Sequence, residues 1–286
     1  MGEESARTAA EKKALKRSSK KETPKILLEA CLNGSWSRRD HKAIPITPFE
    51  LALSAKEVFE RRIFVVHIHP RDQYGDESLE SRDCGEAIAD IRKTCPLVKI
   101  GLSTGAWIEP ELSARMSAIG SWNMLPDFAS VNFSEEGAEQ VCKLLISKGV
   151  GVEAGLSSLQ DIKRFAKSGV ASQCLRILIE PEVQDPDSAV SAARAMDSEL
   201  NGLEILLPRR LCHGSGRATW ATMKFALKKG YDIRVGFEDT LTLPRGKHAR
   251  NNSELIRMAM KLIRVQGCKL ERPPESAALQ SATVAT

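Results

Sequence analysis

Val65 to Asp72 reads VVHIHPRD, and two of the chain's five histidines, His67 and His69, stand one residue apart at the end of that apolar run. Residues two apart on a strand share a face, so both imidazoles would project together. A lone buried histidine is usually a satisfied core residue. A pair at a strand end is instead a nitrogen donor set for a divalent transition metal. IRVGFEDT offers a third donor, because Arg234, Gly236 and Glu238 would share one strand face with Glu238 at its end. Two neutral imidazoles and one carboxylate, with a fourth position open, is the composition of a catalytic Zn2+ site. Nitrogen-rich ligation argues against magnesium or calcium, while another divalent transition metal fits the same donors. The plainer reading of Glu238 and Asp239 is a structural ion pair with a loop arginine.

Such a set must be positioned by the fold. Short apolar, often β-branched runs recur, each followed by a stretch of helical patterning. The strand candidates are KILLEACLN (25–33), IFVVHIH (63–69), LVKIGLST (97–104), FASVNF (128–133), GVEAGL (151–156), CLRILIE (174–180), GLEILL (202–207) and IRVGFED (233–239). The first helix is expected over 47–62, with Thr47 as N-cap and Pro48 at the first helical position. Eight strand–helix repeats predict an α/β fold, a (β/α)8 TIM barrel with a parallel sheet. A doubly wound open sheet would want a glycine fingerprint after its first strand, and LNGSWSRRD is not GxGxxG.

Active sites of such barrels lie at the C-terminal ends of the strands. Strands 2 and 8 would flank strand 1 there, bringing His67, His69 and Glu238 together. Other strand ends are also polar: Glu29, Asn33, Ser103, Thr104, Asn132 and Glu153. Each alone could cap a helix or bond a loop, but together they outline a pocket.

The folded body is expected over 25–272. Residues 1–24 carry seven Lys or Arg against four Glu, over half of the chain's net charge of +5. That stretch reads as a solvated, disordered basic arm, with contact to nucleic acid or an anionic surface the less favoured reading. The stretch 273–286 is low in bulky residues and also reads as disordered. No apolar run approaches the roughly 20 residues of a membrane span. No signal-peptide pattern opens the sequence, so a cytoplasmic protein is expected. The seven cysteines never form CxxC and read as reduced structural thiols.

Taken in order, LNGSWSRRDHKAIPITPFEL, VVHIHPRD, KIGLSTGAW, ASVNF, GVEAG and RVGFEDT followed by LPRGKHARNNSELI are similar to the β-keto acid cleavage enzymes over about 27–265. That resemblance implies exchange of a β-keto acid with acetyl-CoA as co-substrate, giving acetoacetate and a new acyl-CoA. It implies zinc on His67, His69 and Glu238, and a homotetramer. It assigns Ser103, Arg234 and Asp239 to substrate binding and proton transfer, with Asp239 as acid/base and Arg234 for the keto acid's carboxylate. Asn132 and Glu153 match further pocket positions, Glu153 as proton carrier or as partner of a ligand histidine. Trp36 stands where members acting on an ammonium-bearing substrate carry an acid, implying an apolar, aromatic or quaternary-ammonium side chain instead. A second departure is ERRIF, whose Arg61 and Arg62 are expected at the opposite end of the barrel. Apart from the resemblance, loops 7 and 8 of such barrels often bind phosphate, and LPRRLCHGSGR after strand 7 would put His213, with Arg209 and Arg210 near it, against the nucleotide part of CoA. The two arginines read equally as solvated loop residues. Two other function classes remain open at this level: a zinc-dependent barrel hydrolase, and a non-catalytic protein acting through its basic arm. Strands 5 and 6 carry no histidine, which counts against the hydrolase.

Overall fold

The computed structural model describes residues 23–272; the expectations for the basic arm and for 273–286 lie outside them, apart from residues 23 and 24. The strands are β1 (Leu28–Cys31), β2 (Val65–Ile68), β3 (Lys99–Ser103), β4 (Phe128–Asn132), β5 (Gly151–Leu156), β6 (Arg176–Ile179), β7 (Arg209–Cys212) and β8 (Ile233–Val235). They alternate with helices α1 (Pro48–Phe59), α2 (Ser81–Thr94), α3 (Leu112–Gly120), α4 (Ala138–Ser147), α5 (Leu159–Lys167), α6 (Pro186–Asn201), α7 (Thr219–Lys229) and α8 (Asn252–Val265). All sheet pairs are parallel, and β1 lies between β2 and β8 as expected. The ring is closed by a bridge between Leu211 and Asp232, with Cys212 N–H donating to the Asp232 carbonyl at 2.9 Å. Lys25–Ile26 and Lys269–Leu270 form a separate short pair. Among the described residues no helix is long and apolar enough to cross a membrane.

Period-two alternation explains how the sheet is used. Ala30, Val66, Ile68, Ile100, Leu102, Val152, Ala154, Ile177, Ile179 and Ile233 are fully or almost fully buried apolar residues of the core. Their strand neighbours Glu29, His67, Glu153, Arg176 and Arg234 belong to the other face, and these too are buried. The register sets Glu29 opposite Arg234 and Glu153 opposite Arg176. Helix α1 begins as predicted: Thr47 caps it, Glu50 completes the capping box, and Pro48 opens the first turn.

Two strands differ from expectation. The run at 202–207 is not strand 7; it is a connection after α6 that leaves Leu206 exposed. The strand is Arg209–Cys212, whose first two residues are ion-paired, Arg209 with Asp232 and Glu271, Arg210 with Asp197. Salt bridges replace the apolar side chains by which a strand is usually read. Strand 8 stops at Val235. Gly236 then approaches β1 so closely that a Cβ would overlap the Cys31 carbonyl, and the chain turns, with Asp239 and Thr240 N–H both donating to the Gly236 carbonyl.

Candidate active site

That turn places Glu238 and Asp239 together, although neighbours on a regular strand would point apart. His67 Nε2 lies 3.8 Å and His69 Nε2 3.5 Å from Glu238 Oε2. The three side chains offer ligand atoms within 4.8 Å of one another. Among the described residues His69 Nε2 and Glu238 Oε2 are buried without hydrogen-bond partners, an expensive arrangement unless something fills the gap. The donors present therefore fit a metal ion. Gly34 lets Glu238 pack: its φ is +57°, and a Cβ would stand 2.6 Å from Glu238 Cγ. Asn33 clamps His69 reciprocally, donating to its carbonyl at 2.8 Å and accepting from its N–H at 2.9 Å.

Charge is distributed unevenly across the cluster. Burial pushes His67 down to about 3. Burial acts the same way on His69, but Glu238 and Glu77 outweigh it and raise it to about 9. Burial disfavours the Glu238 anion, yet Arg234 and the two histidines hold its carboxyl well below the usual range.

Beside this set runs a chain of ionic contacts. Arg234 bonds Glu238 and grips Asp239 Oδ1 through Nε and Nη2 at 3.0 and 2.9 Å. His213 bridges Asp239, 3.3 Å from Nδ1, and Glu180, 3.0 Å from Nε2. Burial and Arg234 oppose a charge on His213, but Asp239 and Glu180 raise its pKa. These residues open on a cavity of about 300 Å³ whose lining includes Ser103, Ser130, Asn132, Ser134, Glu180 and Glu182.

The candidate residues do not all face this cavity. His67, His69, Ser103, Asn132, His213, Arg234, Glu238 and Asp239 line it. Asn33, Trp36, Thr104 and Glu153 do not. Both ends of the Asn33 amide are occupied by the His69 backbone. The Thr104 hydroxyl donates to the Ser130 carbonyl at 2.7 Å. The Trp36 indole donates to the Glu238 carbonyl at 3.1 Å, bracing the turn from a half-exposed position. Glu153 lies deeper, 2.6 Å from Arg176 Nε, and its carboxylate comes within 4.8 Å of His67 and Glu29 ligand atoms. Arg209 and Arg210 open β7 at the N-terminal end, so they cannot flank His213 at the C-terminal rim; the separation follows from the corrected strand. Arg61 and Arg62 are exposed, as expected.

Several contributors carried no legible signal. Arg176 is one of these, an arginine inside an apolar run. Glu180 sits at a strand end but follows no motif. Asn252 joins the seam, donating to the Leu32 carbonyl and accepting from Phe237 N–H, each at 2.8 Å. Arg71 donates to the Gly34 and Trp36 carbonyls; its place in HPRD was visible, its role was not.

Compared with known proteins, residues 25–279 match the model of the beta-keto acid cleavage enzyme family. The chain belongs to this family. It is an enzyme of β-keto acid cleavage. A 3-keto-5-aminohexanoate cleavage enzyme of Fusobacterium nucleatum is 26% identical over 267 residues, covering 88% of this chain and 96% of that protein. A 3-oxoadipate:acetyl-CoA acetyltransferase of Cupriavidus necator is 24% identical, covering 86% of this chain and 90% of that one. Among solved structures, ObcA in a ternary complex with a C4-CoA adduct and oxalate shares the fold at a TM-score of 0.65 and 16% identity. That likeness covers 80% of this chain and 65% of ObcA.

Proposed function

We propose that this β-keto acid cleavage enzyme exchanges a β-keto acid with acetyl-CoA, giving acetoacetate and a new acyl-CoA. The observation that carries the reading is the convergence of two unpartnered buried atoms, His69 Nε2 and Glu238 Oε2, with His67, beside Asp239 and Arg234 in an open cavity. The acetyltransferase relative in Cupriavidus necator supports acetyl-CoA as co-substrate. His67, His69 and Glu238 would hold a divalent ion, zinc by their donor set, which would supply a Lewis acid for negative charge building on a ketone oxygen.

The rest falls to the chain's own groups. Asp239 takes the proton from the carbon between ketone and carboxylate and returns it to that carbon at the end. Between those steps the carbon forms a bond to the acetyl group and the CoA thiolate leaves. The thiolate adds to the original acyl carbonyl, whose bond to the carbon then breaks to give the new acyl-CoA. No net proton is consumed. Arg234 aims the Asp239 carboxylate. Its Nη1, which makes no hydrogen bond among the described residues, is assigned with the Ser103 hydroxyl to the substrate carboxylate. Trp36 stands outside the cavity, so the apolar, aromatic or quaternary-ammonium side chain that it implied loses that support. Ser130, Asn132, Ser134, Glu180 and Glu182, with Trp107 beside them, favour a short polar or cationic one.

The test is acetoacetate release from a panel of β-keto acids by zinc-loaded protein, with and without acetyl-CoA. Product that requires acetyl-CoA and disappears in His69→Ala is expected. Silence across the panel with one zinc bound per chain overturns the exchange reaction.

A further inference from the structure

Two residues at the site have no part in that chemistry, Glu77 and the Trp107 of STGAW. The chain reverses directly after HPRD: Asp72 accepts the N–H groups of Tyr74 and Asp76 on its carboxylate at 2.8 and 3.0 Å, and Arg71 bridges antiparallel to Glu77. This hairpin returns Glu77 to β2, where its Oε1 lies 2.5 Å from His69 Nδ1. The Trp107 indole N–H donates to both Glu77 oxygens at 3.2 Å. Its ring stacks on the His69 ring, with centroids 6.2 Å apart and planes at 24°. The stack needs Gly105, because a Cβ there would overlap the indole. Among the described residues His67 has no comparable support, and its Nδ1 is without a hydrogen-bond partner.

We propose that Glu77 and Trp107 are positioning residues for a metal ion: they keep Nδ1–H of His69 on the Glu77 carboxylate, so that Nε2 faces the metal position shared with His67 and Glu238. A carboxylate behind a ligand imidazole fixes its tautomer and orientation and raises its basicity. Trp107 in turn fixes the carboxylate. The inference rests on the metal reading above, but it assigns the support to one histidine and two residues outside the donor set.

The experiment measures zinc dissociation constants of the full-length chain by competition with a chromophoric chelator, together with the absorption spectrum of the cobalt(II)-loaded protein. Glu77→Ala is expected to weaken zinc about 10- to 100-fold and to change the cobalt spectrum. Glu77→Gln, whose amide oxygen still accepts from Nδ1–H, recovers part of the loss. Trp107→Phe keeps the stack, loses the N–H and shows the smaller weakening. Zinc affinity within about twofold of wild type in Glu77→Ala, with an unaltered cobalt spectrum, overturns the proposal, since losses of tenfold or more are typical of such partners. If Glu77→Ala does not fold, unchanged values in both Glu77→Gln and Trp107→Phe overturn it. A wild type that binds neither metal overturns the metal reading and this one together, so the two failures are distinct.

Discussion

Two groups of ligand-type side chains share His67. The outer group is His67, His69 and Glu238; the inner one is Glu29, His67 and Glu153, and each keeps its donor atoms within 4.8 Å. The inner group contains its own cation: Arg176 lies 2.6 Å from Glu153 and 3.8 Å from Glu29. Glu29 and Glu153 are fully buried and line no part of the cavity. Burial, reinforced by the Glu153 charge, pushes the Glu29 carboxyl well above its usual range. In the outer group, Arg234 takes one oxygen of Glu238 and leaves the other facing the histidines and the cavity. The spacing is therefore the same in both, with two imidazoles and one carboxylate outside against one imidazole and two carboxylates inside, and spacing alone does not make a metal site. Access, and the absence of a resident cation between the donors, separates a site from a support.

This distinction can be broken or sharpened by substitution. The largest effect is expected from His69→Ala, which removes an outer donor and should weaken zinc more than about 1,000-fold, or ~4 kcal/mol, in chelator competition. Arg176→Met strands the inner carboxyls without their cation, at a cost of about 3–5 kcal/mol read by denaturant unfolding. Its zinc affinity should stay within about threefold of wild type, under 1 kcal/mol. Loss of zinc with the fold intact would instead make the inner group part of the site.

Gly34→Ala strains a left-handed residue against the Glu238 side chain. About tenfold weaker zinc is expected, ~1.4 kcal/mol, with the inner group undisturbed. Glu29→Gln should change zinc affinity least, and its mark is the pH dependence of stability. Burial and the Glu153 charge hold the folded-state pKa of Glu29 well above its unfolded value of about 4.3, so the unfolded chain gives up this proton at lower pH than the folded one. The Glu29 contribution is thus full below that unfolded value and is lost as pH rises toward the folded pKa, by at most about 1.4 kcal/mol per pH unit. Glu29→Gln should therefore gain stability over wild type as pH rises from 5 to 8, in parallel melts. A difference that stays flat would mean that Glu29 is ionised in the native barrel.

Much of the outer group was legible because its chemistry lies in residue type and short spacing: HxH on one strand, a carboxylate at the end of another. Eight periodic repeats then set those strands on either side of β1. The inner group was half visible. Glu29 and Glu153 stood out as polar residues in apolar strands, but the burial of Arg176 beside them depends on register between β5 and β6, which single-strand patterning does not carry. β7 was misread for a related reason. Its charges are compensated by Asp232, Asp197 and Glu271, contacts distant in sequence, while the more apolar 202–207 mimicked a strand. Glu77 was hidden because a hairpin turn, rather than a period, returns it to His69.

The paired bonds of Asn33 and Asn252 divide labour around the rim. Side-chain amides holding main-chain groups fasten the end of β1 to β2 on one side and to the turn after β8 on the other. The groups proposed to react stand largely on that stitched seam, while Ser134, Glu180, Glu182 and Ser215 belong to connections after β4, β6 and β7. Natural selection can retailor those connections to a new acyl chain without unpicking the seam, so one reaction can be inherited intact while its clientele changes.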